Sequence, residues 1–84
     1  MKFNVEFTDT FGGEANYGWV KRVEIEAPWS CSDRTLMRRA KAAIGLTGTR
    51  GRTTIHGDML EFRPYRECTV MFVTAAPATF TGVA

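Results

Sequence analysis

The side chains in this sequence that could do chemistry are few, and they are scattered. His56 is the single histidine and Cys31 and Cys68 are the two cysteines. A cysteine nucleophile would need His56 beside one thiol and a group such as Asp58 to orient the imidazole. Cys31 lies within the helix-start signal Ser30-Cys31-Ser32-Asp33, just before the helix N-terminus, whereas Cys68 opens an apolar run and is expected in the core. A zinc site would need about four sulfur, imidazole or carboxylate ligands, and these three residues stand at unrelated spacings. Glu24 and Glu26 alternate along one strand and would project from one face about 7 Å apart, which suits acid–base work but is also how an exposed sheet face carries its charge. The run Gly45-Leu46-Thr47-Gly48-Thr49-Arg50-Gly51-Arg52 has the glycines of a phosphate cradle. It lacks the closing Lys-Ser/Thr and follows a helix where such a loop follows a strand. No catalytic residue, cofactor or metal ligand is therefore assigned, and binding is the expected mode of action.

Two sets of residues are candidates for binding. The first is basic. Arg34, Arg38 and Lys41 fall at i, i+4 and i+7, on one helical face, with Arg39 beside them and Arg50 and Arg52 in the loop that follows. The stretch 34–52 holds these six cations and no acid, as expected of a surface that neutralises phosphates. The second is acidic: Glu6, Glu24 and Glu26 on outward strand positions, and Asp9 and Glu14 in a connecting segment with the aromatics Phe11 and Tyr17. Carboxylates beside aromatic anchors suit a protein partner. Trp19 follows them and is expected to fold back on the core.

The net charge of +2 conceals this division. Residues 1–33 carry three bases against six acids, a net −3, and residues 34–84 carry eight bases against three acids, a net +5. Such asymmetry points to a polyanion or a charged protein as partner.

The elements that must position these residues follow from periodicity. Phe3, Val5 and Phe7 alternate with polar neighbours over 2–8, a half-buried strand. Residues 9–18 read as a long hairpin loop with its sharpest bend at Gly12-Gly13, and residues 19–27 as the second strand, ended by Pro28. Ser30 with Asp33, or alternatively Ser32, caps a helix over 33–44. Its apolar stripe is Leu36, Met37, Ala40, Ala43 and Ile44, and Gly45 stops it. A short strand at 52–56, a Gly57-Asp58 turn and a strand over 59–63 come next. A last strand over 67–74 carries the continuous apolar run Val70-Met71-Phe72-Val73, so it belongs in the centre of the sheet. Phe3, Val5, Leu36, Ala40, Val70 and Phe72 are expected to be buried together.

The expected fold is α+β in two layers: an antiparallel sheet of about four strands packed on one helix, ββαββ, or ββαβββ with 52–56 as a further strand. Residues 1–74 form a single domain and 75–84 an uncharged tail. The 84 residues contain no apolar run of membrane-spanning length. Glu6 falls where a secretion signal needs its apolar stretch, so a cytoplasmic protein with reduced thiols is expected.

The run Asp9-Thr10-Phe11-Gly12-Gly13-Glu14-Ala15-Asn16-Tyr17, with Trp19 and the late Cys68-Thr69-Val70-Met71-Phe72, resembles the small orphan proteins of phages and mobile elements, among them anti-CRISPR proteins. The resemblance implies a stoichiometric inhibitor in the host cytoplasm that binds a CRISPR effector subunit and blocks its DNA binding. Acidic mimicry of DNA is common in that class. This chain departs from it in being net basic, which leaves a local acidic face as the mimic. The alternative expectation is a small nucleic-acid-binding accessory or regulatory protein that uses the basic helix and loop.

Overall fold

In a computed structural model, which describes residues 1–28 and 30–76, the chain runs β1 (Lys2–Phe11), β2 (Glu14–Glu26), α1 (Asp33–Ile44), β3 (Gly51–His56), β4 (Met59–Pro64) and β5 (Thr69–Ala75). The five strands form one antiparallel sheet in the order β2-β1-β5-β4-β3. Residues 52–56 thus belong to a full strand at the sheet edge, and the order is ββαβββ with five strands, where about four were expected. β5 takes the central place, as its apolar run requires. It extends to Ala75, and Ala76 N–H still donates to the Lys2 carbonyl at 2.9 Å. The remainder of the expected tail, 77–84, lies outside the described residues.

The segment 9–18 is not a loop. β1 and β2 continue past Thr8 to a two-residue turn at Gly12 and Gly13, whose φ values of 63° and 87° suit the tight hairpin turn that follows the twist of its strands. What the Gly- and Asn-rich composition does encode is a bulge: pairing runs regularly to Thr8 opposite Val20 and resumes at Thr10 opposite Ala15. Asp9 holds the bulge closed. Its carboxylate accepts from Gly18 N–H and from Asn16 Nδ2, both at 2.8 Å. The bond from Asn16 is the main reason its pKa lies below the usual aspartate value; desolvation opposes it, and the bonds from Gly18 and Thr8 reinforce it.

Helix α1 has the predicted bounds. Ser32, rather than Ser30, is its N-cap and accepts from Thr35 N–H at 3.1 Å. Gly45 closes it at φ 89°, with Leu46 N–H returned to the Lys41 carbonyl at 2.7 Å. Leu36, Met37, Ala40 and Ile44 bury against Val5, Leu60, Phe62, Met71 and Val73 to form the core. Alternation sends Val70 and Phe72 to the other side of the sheet, so they do not join this core as expected; Met71 and Val73 take their places. Val70 is nonetheless fully buried. It pairs with Thr8 of β1, and the β1–β2 hairpin bends over that point: Arg63 Nη1 of β4 donates to the Gly13 carbonyl at 2.7 Å. Cys68 is exposed, not in the core, because β5 begins one residue after it; Cys31 is half-buried against the core.

Candidate functional site

The helix lies over the β1–β2 side of the sheet. Lys21 Nζ donates to the Ile44 carbonyl at 3.3 Å and Arg39 reaches the Glu26 carbonyl at 3.5 Å, tying α1 toward that edge. The opposite flank of the helix therefore stands away from β3, and a groove of about 590 Å³ opens between them. Met37, Ala42, Thr47, Gly48 and Thr53 give it a largely apolar lining, and Arg34, Arg38 and Lys41 supply cations, with Asp33 at its helix-start end. Three of the six basic candidates thus meet in one place. Lys41 is fixed there: its ammonium donates to the Thr49 carbonyl at 2.7 Å and sits 4.5 Å from the centre of the Phe62 ring. Arg34 and Arg38 are exposed and make no ion pair among the described residues. Gly51 lets the start of β3 lie close against β4, because a Cβ there would collide with the Arg63 carbonyl and the Phe62 ring.

The other basic candidates point elsewhere. Arg39 is on the β2 flank of the helix. Arg52 alternates with the groove-lining Thr53, stands opposite Arg63 and belongs to the far face of the sheet. Arg50 is exposed in the connecting loop, where its carbonyl accepts from Tyr65 N–H at 3.1 Å.

The acidic candidates are gathered only in part, and most are already partnered. Glu6, Glu24 and Glu26 share the helix-free face. Glu6 accepts from Arg22 Nε at 2.7 Å, and Glu24 lies 3.7 Å from Lys2 Nζ. Asp9 is committed to its bulge. Glu14 and Phe11 flank the hairpin turn, where Phe11 is 80% exposed. Tyr17 is 53% exposed within the bulge and held at φ 55°, a left-handed conformation that a bulky residue adopts at a cost. Trp19 packs edge-on to Phe7, with centroids 5.3 Å apart, yet stays 46% exposed, so its return to the core is incomplete.

His56 has a partner that the sequence reading missed. Its Nε2 lies 3.0 Å from Glu61 Oε1, and Glu61 Oε2 accepts from Arg63 Nε. Burial raises the Glu61 pKa, but the hydrogen bonds and charges of Arg63 and His56 outweigh it and leave the carboxyl below the usual glutamate range. The signal was present in the i, i+2 spacing of Glu61 and Arg63 on a strand and in the two-residue turn that brings His56 opposite Met59. With Arg63 also holding Gly13, this network fastens the hairpin to β4. It gives His56 a place in a hydrogen-bonded network. Among the described residues, no three His, Cys, Asp or Glu side chains are grouped to hold a metal ion, and no helix is long and apolar enough to cross a membrane.

Comparison of the chain with protein-family models, with curated proteins and with solved structures finds no match.

Proposed function

We propose that this chain is a small non-catalytic binding protein whose working surface is the groove between α1 and β3, and that the groove takes the phosphate backbone of a nucleic acid. The observation that carries this reading is the difference in charge pairing between the two candidate surfaces. Arg34 and Arg38 line the groove with no acid paired to them among the described residues, whereas Glu6 and Glu24 already have cations against them. A charged group with no internal partner retains its full attraction for an external one. One that is paired must first break a contact. Lys41, held by Thr49 and Phe62, adds a positioned positive charge to the floor.

The test is fluorescence anisotropy with labelled single- and double-stranded DNA and RNA across a salt series. Binding is expected at low salt. On duplex DNA, two or three phosphate contacts should give a log–log salt slope of about −2 to −3, at roughly 0.9 per contact. Arg34→Glu with Arg38→Glu should abolish binding while leaving the thermal transition in place, since both side chains are exposed. Absence of binding at low salt would defeat the reading.

A second reading has its own support. Phe11, Tyr17 and Trp19 are exposed on the β1–β2 hairpin, Phe11 directly opposite Glu14, and Tyr17 is held in a strained left-handed conformation. Exposed aromatics on a hairpin that also carries a carboxylate suit a protein partner, which is the surface that an inhibitor of a host defence complex, of the anti-CRISPR kind, would use. Under this reading Phe11→Ala with Tyr17→Ala removes partner capture and the arginine changes do not.

A further inference from the structure

β2 is an edge strand of the sheet, and its outer rim has a definite hydrogen-bonding phase. Met1 and Ala27 exchange both bonds, Ala27 N–H to the Met1 carbonyl at 3.0 Å and the Met1 ammonium to the Ala27 carbonyl at 3.1 Å. Antiparallel pairing alternates along a strand, so the pairs Phe3–Ile25, Val5–Val23 and Phe7–Lys21 are bonded in the same way. The intervening residues Val20, Arg22, Glu24 and Glu26 must then direct their N–H and C=O groups away from β1. This rim is bounded on one side by the bulge at 16–19 and on the other by Pro28, and among the described residues the bond on it is the 3.5 Å contact from Arg39 to the Glu26 carbonyl.

We propose that two copies of this chain pair antiparallel through β2, centred on Val23, so that the two sheets form one of ten strands. The charges choose this register. Because only even residues present bonding groups, a two-fold arrangement can be centred on Arg22, Val23 or Glu24 with comparable overlap. Centring on Arg22 sets Arg22 against itself; centring on Glu24 brings Arg22 opposite Glu26 twice but sets two carboxylates face to face on the axis, whereas the Val23 register has no like-charge pair. Centring on Val23 sets each Arg22 opposite the other copy's Glu24, twice, with Val23 meeting Val23 on the axis. Opposite charges directly across a strand pair stabilise it, and like charges destabilise it. Arg22 already leans on Glu6 and Glu24 on Lys2, so the seam would extend an existing alternation of sign across the helix-free face. The groove on the far side of α1 takes no part, so this inference is independent of the function proposed above.

The test is mass by size-exclusion chromatography with light scattering, from low micromolar to several hundred micromolar chain. The wild type should reach twice the chain mass. Arg22→Glu alone and Glu24→Arg alone should each weaken the dimer about tenfold or more, because each places like charges opposite one another at two sites. An equimolar mixture of the two variants should restore it. The glutamate introduced at position 22 of one copy then faces the arginine introduced at position 24 of the other, while the native Glu24 and Arg22 pair at the second site. Circular dichroism on each variant separates loss of pairing from loss of fold. Val23→Cys, made with Cys31→Ser and Cys68→Ser, should form a spontaneous intermolecular disulfide, because a non-hydrogen-bonded pair brings Cα atoms to about 4.5 Å. A wild type that stays monomeric throughout the range would overturn the proposal. So would folded single variants that remain dimeric, or a mixture that stays monomeric.

Discussion

The two faces of the sheet are covered in different ways. On one, a twelve-residue helix lays Leu36, Met37, Ala40 and Ile44 over Val5, Leu60, Phe62, Met71 and Val73, and burial is apolar throughout. The other has no helix. Charged and hydrogen-bonded pairs occupy most of it, Arg22 with Glu6, Lys2 with Glu24, and Glu61 with both Arg63 and His56, and the chain's own hairpin bends over its centre to bury Val70 and Thr8. The difference explains which charges are available to a partner. A face without a helix satisfies polar side chains laterally, so Glu6 and Glu24 find cations on the neighbouring strand. The helix has no such neighbours on its outer side, so Arg34 and Arg38 have no acid against them among the described residues.

This contrast breaks most readily at Met71. It is fully buried on the helix face and touches the centre of the core. Met71→Ala should cost about 2–5 kcal/mol, the cost of burial lost plus a cavity, which is a large part of the stability of a domain this size. The next residue sharpens the comparison. Phe72 is only half-buried on the opposite face, between Glu6 and Glu61, so Phe72→Ala should cost about 1–2 kcal/mol although it removes a larger side chain. Urea unfolding of both variants decides the matter. A costlier Phe72 change would mean that the helix-free face carries more of the core than its exposure indicates.

The elements were readable where one period dominated. The helix bounds, the Gly57-Asp58 turn and the central place of β5 all followed from local pattern. The distal hairpin did not, because Gly12, Gly13, Asn16 and Gly18 look like a loop when read singly. They are instead a tight turn and a bulge, distinguished only by the pairing of Asp9 with Asn16 and Gly18. The apolar run 70–73 marked β5 as doubly covered but could not say which alternate residues met the helix, since all four are hydrophobic and the period of two leaves no trace. The basic site was legible as far as Arg34, Arg38 and Lys41, because helical spacing fixes a face. Arg39 and Arg52 were grouped with them by sequence proximity, which sheet alternation and the tilt of the helix toward β2 override. The pairing of Glu6 and Glu24 depends on strand register, a long-range property that no local window contains.

The smallest expected effect concerns the network that fastens the hairpin to the helix-free face. Glu61 is held below its usual pKa of 4.5 because Arg63 and His56 favour the carboxylate more than burial disfavours it. A depressed folded-state value means that the unfolded chain binds the proton more readily, so the contribution is fully present above about pH 4.5 and is lost as pH falls through the folded value. Arg63 is 36% exposed along its side chain, which screens the pair, so at neutral pH Glu61→Gln should cost no more than about 1 kcal/mol. That deficit should shrink as pH falls below about 4.5 and on through the lower folded value, where wild-type Glu61 itself takes up its proton. Asp9 also has a lowered pKa, but it is present in both proteins and drops out of the difference. Chemical denaturation of wild type and variant at several pH values measures that difference directly. A gap that stays constant from about pH 7 to pH 3 would show that Glu61 holds Arg63 by shape and hydrogen bonding alone, with no net preference for its charged form, and the hairpin would then be indifferent to acid.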